Sequence, residues 1–272
     1  MLRPFLKRLL MAAGLAATLC ALAFTNPALA GSPPPVAPLD TGPTVTVPVL
    51  MYLHIGAPFG PPADSQYFVS LSAFDAQMAY LAEDGFTPVS LDQVLAALQG
   101  AAPLPRHPVA ITFDDANQDN YSLALPVLQK YHLTATFFIV TGWVGKPAHL
   151  TWDEIAAMQQ AGMFFGAHTV SHPYLPFLPM WLADYEISQS KAVLEAHLGH
   201  SVQIFAYPYG HASPTVTRLA QSAGIGLALG TSPYRLDHTL ADRFYLTRFG
   251  VYSWTSLRRF ERNVPSRMAA NY

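Results

Sequence analysis

Seven short apolar runs recur along the chain, at residues 47–53, 109–113, 134–140, 163–167, 203–207, 226–230 and 245–251. They are continuous rather than alternating, which is the pattern of parallel strands buried on both faces. Helical patterns with recognisable ends separate them. One runs over 72–84 and is stopped by Gly85, and another over 90–98 before Gly100. Thr151-Trp152-Asp153-Glu154 reads as a capping box opening a helix that closes near Gly162. A further helix is expected over 183–198 before Gly199, and Ser213-Pro214 has the cap and first-turn proline of one ending before Gly224. Pro126 interrupts the 121–131 segment, so that helix is expected to start late or to kink.

Strand-then-helix units with right-handed crossovers predict an α/β fold, a parallel sheet covered by helices, and about seven strands favour a barrel-like closure. No internal repeat or second domain is visible. Residues 54–70, with Pro58, Gly60, Pro61 and Pro62, read as a loop at the end of the first strand, where such folds place binding residues.

The N-terminus follows a different pattern. Arg3, Lys7 and Arg8 precede an uncharged apolar run over 9–24, and Ala28-Leu29-Ala30 has the small-x-small form of a cleavage site. Residues 1–30 are therefore expected to be a signal peptide, because the apolar run is shorter than the roughly 20 residues that span a bilayer. Residues 31–46, rich in proline, are expected to be an extended tether, leaving 47–272 as the single folded domain. The single cysteine, Cys20, lies in the leader; Leu19 before it argues against a lipoprotein signal, and the mature chain needs no disulfide. The expected location is secreted or periplasmic, with no stable membrane insertion after cleavage.

Loss of Arg3, Lys7 and Arg8 lowers the net charge from −2 to −5, so nothing invites nucleic acid. With 51% apolar and 12% charged residues, the chain suits one compact domain, expected to be monomeric.

Candidate chemistry gathers at predicted strand ends. Ile111-Thr112-Phe113-Asp114-Asp115 ends an apolar strand in two carboxylates, which can take different tasks: one on a cation, one as general base. His168-Thr169-Val170-Ser171-His172 follows the next-but-one strand, with two imidazoles four residues apart on the same predicted rim. Two neutral nitrogens and one carboxylate make a three-ligand site with room for water and substrate, as catalytic zinc sites have. Phe205-Ala206-Tyr207-Pro208-Tyr209-Gly210 closes another strand, and a backbone amide there can serve an oxyanion.

These three segments, in this order and at these separations, resemble the carbohydrate esterase family 4 deacetylases, the NodB-homology domain. The resemblance covers residues 47–252. It implies a distorted (β/α) barrel, Asp114 as general base, and Asp115, His168 and His172 as ligands of a divalent metal. That metal is usually zinc, with cobalt or nickel as alternatives. It further implies that the Tyr209 amide holds the oxyanion and that the partner is an N-acetylated polysaccharide or oligosaccharide. The form Phe-Ala-Tyr-Pro-Tyr-Gly and residues 151–172 resemble the branch that deacetylates poly-N-acetylglucosamine; chitin-like oligomers and peptidoglycan stay open.

Three departures carry their own expectations. Ala116 stands where family members commonly have glycine, so that turn should avoid positive φ or tolerate strain. Ala206 stands where many have an arginine that contacts the catalytic Asp, and Arg248 on the last predicted strand is the candidate substitute. The late family histidine that protonates the leaving amine is not recognisable. His211 and His238 read as surface loop residues, so the general acid stays unassigned, with metal-bound water or a histidine from another loop such as His54 as the alternatives. Tyr67, Trp143, Trp152, Tyr174, Trp181 and Tyr209 are candidates for stacking on sugar rings, most of them expected to be core.

Two other functions fit parts of the pattern. A glycosidase built on Asp114 has no use for the histidine pair. A non-catalytic sugar-binding domain would not need all three ligands and the base together.

Overall fold

The computed structural model describes residues 42–265; the expected signal peptide, the tether up to residue 41 and residues 266–272 lie outside the described residues. Every one of the seven apolar runs contains a strand: β1 Val49–Tyr52, β2 Pro108–Phe113, β3 Thr136–Ile139, β4 Phe164–Ala167, β5 Ile204–Ala206, β6 Leu227–Leu229 and β7 Phe249–Gly250. They are hydrogen-bonded in the order β6-β5-β4-β3-β2-β1-β7, all parallel. The segment leading into β7 also returns to β6. Leu229 and Leu246 form a parallel bridge, with Gly230 N–H donating to Leu246 O at 2.8 Å and Leu246 N–H to Ala228 O at 2.9 Å. The seven parallel strands thus form a distorted (β/α) barrel, whose two ends are brought together by this bridge.

The continuous apolar runs have a simple cause. Val49, Ala110, Phe138, Ile204 and Leu227 pack in one core cluster, while their neighbours Leu50, Ile111, Phe137, Phe205 and Ala228 belong to another. Successive side chains point to opposite faces of a strand, and here both faces are buried. All six residues of β2 are buried.

The helices begin where their caps predict. Ser70 caps α1 (Leu71–Glu83), a Ser90–Gln93 capping box opens α2 (Leu91–Leu98), and the Thr151–Glu154 box opens α4 (Trp152–Gln160). Between the last two, α3 (Leu125–Lys130) follows a π-turn over Asn120–Ala124 and carries Pro126 in its first turn, so the interrupted segment does start late. Next come α5 (Met180–Leu198), which begins three residues before the expected start and stops at left-handed Gly199, and α6 (Pro214–Ser222). The chain's α7 (Leu257–Asn263) went unpredicted. Among the described residues, no helix is long and apolar enough to cross a membrane.

Candidate active site

The loops that follow β1, β2, β4, β5, β6 and β7 surround a cavity of about 410 Å³ at the C-terminal end of the barrel. Its lining includes His54, Asp114, Asp115, His168, His172, Tyr209 and Tyr252. Barrel enzymes assemble their sites on this face because each strand delivers one loop to it.

The adjacent carboxylates are separated by a backbone reversal. Asp114 continues the β2 ladder, its N–H donating to Tyr52 O at 2.9 Å, whereas Asp115 and Ala116 have φ of 74° and 56°. The turn therefore adopts positive φ at a non-glycine pair and tolerates the strain, of order 1–3 kcal/mol at each such position. Ala116 O accepts from Leu150 N–H at 2.9 Å, which helps hold it. As a result Asp114 faces the barrel interior and Asp115 faces the histidines.

Asp114 meets Arg248 there. The guanidinium donates to the two carboxylate oxygens at 2.7 and 2.8 Å, and also to Gly230 O at 3.0 Å and Thr112 Oγ1 at 3.2 Å. The Arg248 side chain is fully buried. The residue immediately before β7 thus supplies the arginine that position 206 lacks.

His168 is buried, and its Nδ1 lies 2.7 Å from Ala206 O. A carbonyl can only accept, so Nδ1 carries the proton and the neutral ring presents the Nε2 lone pair. His168 Nε2 and His172 Nε2 lie 3.5 and 3.3 Å from Asp115 Oδ1. All three donor atoms fall within 4.8 Å of one another. Ligands about 2.0–2.1 Å from a shared tetrahedral centre lie roughly 3.4 Å apart, so these side chains fit a metal ion. Asp115 Oδ1 and His168 Nε2 are also buried without a hydrogen-bond partner, which a bound cation would remedy.

Burial pushes His172 down to about 4, and neighbouring His168 adds to the effect, so it is neutral at neutral pH as a ligand must be. For His168, burial opposes the cation but Asp115 and Asp114 outweigh it and raise the pKa. A proton and a metal therefore compete for the same Nε2 lone pair.

The loop between the histidines is held from outside. Glu186 on α5, itself buried, accepts from Val170 N–H at 2.8 Å, Ser171 N–H at 2.9 Å and Ser171 Oγ–H at 2.6 Å. On the other side Gly142 N–H donates to Val170 O at 2.8 Å. A Cβ on Gly142 would sit 2.5 Å from that oxygen, so only glycine allows this approach. Tyr209 and Gly210 have φ of 59° and 69°, a tight turn that brings Tyr209 to the cavity wall.

His54 follows β1. Its Nδ1 lies 2.7 Å from Asp119 Oδ2, and its ring stacks on Phe68 at 4.2 Å with Phe59 edge-on at 5.5 Å. Asp119 Oδ1 is in turn held by Ile55 N–H and Asn120 Nδ2. His211 is exposed, as expected, but His238 is not a surface residue. It pairs with Val45 across a short ribbon, and both its ring nitrogens are buried without partners. Neither lines the cavity.

Residues 101–228 match the polysaccharide deacetylase family. The Streptococcus pyogenes deacetylase PplD, solved with acetate, superposes with a TM-score of 0.75 at 28% identity, over 82% of this chain and 99% of that one. The chain carries a polysaccharide deacetylase domain. This deacetylase domain is 41% identical over 142 residues to the Escherichia coli (strain K12) poly-beta-1,6-N-acetyl-D-glucosamine N-deacetylase, covering 51% of this chain and 19% of that one. It is 28% identical over 187 residues to Bacillus subtilis (strain 168) YxkH, covering 69% of this chain and 65% of that protein. The chain thus spans less than two thirds of either curated relative.

Of the aromatic candidates, Tyr67 and Tyr209 line this cavity, Trp143 packs 5.2 Å from His172, and Tyr174 lies 6.0 Å from Tyr209. Trp152 stacks on His197 and Trp181 is exposed. Sequence reasoning missed Asp119, Glu186 and Tyr252. None has a local signature, because each acts through a partner distant in sequence.

Proposed function

We propose that this protein hydrolyses N-acetyl groups from an N-acetylglucosamine polymer, as a zinc-dependent deacetylase exported by a bacterium. The observation that carries the reading is one cavity holding Asp114 on Arg248 beside the Asp115, His168 and His172 donors, in a fold of the deacetylase family. The substrate is suggested by the name of the Escherichia coli relative, and export by the apolar leader and its small-x-small site.

Asp115, His168 and His172 are the residues to hold the metal, and two imidazoles with one carboxylate suit zinc. When bound, the cation supplies Lewis acidity toward the acyl oxygen and the attacking water. Asp114, anchored on Arg248, takes the proton of that water as the C–O bond forms. The Tyr209 amide donates to the developing oxyanion. His54 donates a proton to the sugar nitrogen as the C–N bond breaks, releasing acetate and the free amine. Asp119 orients His54 by fixing the Nδ1 proton, so that Nε2 serves the leaving group.

The test is acetate release from poly-β-1,6-N-acetylglucosamine, chitin oligomers and peptidoglycan, with chelator or added zinc. Release that chelator abolishes and zinc restores is expected, greatest with the first polymer. No release from any of them by zinc-loaded protein would overturn the reading.

A further inference from the structure

The aromatic surface at the cavity mouth is gathered into two arms. One leaves the metal-ligand loop: the Tyr209 ring lies 4.7 Å from His172, Tyr174 lies 6.0 Å from Tyr209, and Phe177 lies 4.7 Å from Tyr174. Phe177 at its end is 86% exposed. The other begins with Tyr252 in the cavity wall, whose ring stacks at 5.1 Å and 24° on Trp254, itself 54% exposed. Tyr67 flanks it, 6.1 Å from Tyr252.

Strand order places the arms on separate stretches of the rim, with β2 and its reacting carboxylates between them on the longer arc. The first follows β4 and β5, and the second follows β7. Around the ring from the first arm to β7, β6 intervenes one way and β3, β2 and β1 the other. The reacting groups Asp114 and Asp115, at the end of β2, open into the same cavity.

We propose that the arms are subsites for the sugar rings on either side of the reacting residue, so that the polymer crosses the mouth and internal residues of the chain are deacetylated. This rests on the deacetylase reading of the cavity. The occupant follows from chemistry. All six side chains of the arms are uncharged aromatics, continuous with the cavity, and exposed apolar surface of this kind marks a binding face. The C–H faces of an uncharged sugar pack on such rings while its hydroxyls stay in water. The cavity lining holds Asp64, Asp114 and Asp115 and neither lysine nor arginine, so it repels rather than attracts an anionic chain.

The experiment compares wild-type, Phe177→Ala, Trp254→Ala and Trp254→Phe proteins, zinc-loaded. Binding of a β-linked N-acetylglucosamine pentamer and dimer is measured by calorimetry, and the positions that lose acetyl are mapped by mass spectrometry. Each alanine variant is expected to bind the pentamer about ten-fold more weakly, the scale of one aromatic contact. The dimer should change far less, Trp254→Phe should retain most of the affinity, and internal residues should react first. Unchanged pentamer affinity in both alanine variants, or deacetylation confined to a chain end, would overturn the proposal. So would variants that lose binding to neutral phospholipid vesicles while keeping the pentamer. Arm-dependent binding without acetate release would instead remove the deacetylase reading and leave the arms standing.

Discussion

Arg248 and Asp114 face each other through two parallel hydrogen bonds of 2.7 and 2.8 Å inside the barrel, 134 residues apart in the chain. The bidentate geometry fixes the plane of the carboxylate beside the proposed metal ligands, which a point-charge lysine cannot do. Arg248→Met should lower kcat at least ~100-fold and destabilise the protein by about 3–5 kcal/mol, because it strands a buried charge. Arg248→Lys should recover stability better than turnover. Ala206→Arg in an Arg248→Ala background should restore part of the activity, since position 206 ends the neighbouring arc of the same barrel. Steady-state kinetics and denaturant unfolding check all three, and no rescue at 206 would show that the two positions do not reach Asp114 equivalently.

Glu186 touches no proposed ligand side chain, yet it holds the loop that carries both histidines. Glu186→Ala leaves two backbone N–H groups without their acceptor and should weaken zinc binding about 10–100-fold, the range seen when a group that orients metal ligands is removed. Glu186→Gln keeps one acceptor oxygen and should fall between. Competition with a chromogenic chelator reads the affinity directly, without reference to turnover.

Asp119 is predicted to act through His54. Asp119→Asn should reduce kcat about ten-fold or more with full zinc content and little change in KM, because the amide no longer stabilises a charged imidazole. Loss of zinc in this variant would instead place Asp119 among the supports of the metal loop.

His238 should make the fold sensitive to acid. Burial pushes its pKa down to about 4, partly countered by Asp242 and Asp237 and reinforced by Arg235. The unfolded chain therefore binds a proton first. Stability from this residue is complete above the ordinary histidine value near 6.5, falls as pH drops toward 4, and levels off below it. His238→Phe should flatten that part of the curve relative to wild type in urea unfolding at pH 7 and pH 5. Equal pH slopes for the two proteins would remove His238 as a cause.

Much of this architecture was legible in the sequence, and the reason is local. Strands buried on both faces must be apolar at every position, so 109–113 or 203–207 announce themselves without any partner in view. Caps act over three residues, which is why Thr151 and Glu154 set the start of α4 from the sequence alone. The Asp114–Asp115 and His168–His172 motifs were legible for the same reason, each lying within a few positions at the end of one strand.

Tertiary structure alone decided what depends on the ring being closed. The sequence nominated Arg248 and His54, but only the barrel brings one to Asp114 and shows the other held by Asp119 at the mouth. His238 reads as an exposed loop residue until the ribbon with Val45 covers it. Ala116 shows its strain only when Asp115 must turn from the barrel interior to the histidines. Local pattern records the backbone's needs over a few residues, whereas the pairing of groups more than a hundred positions apart is set by strand order, which no short window of sequence contains.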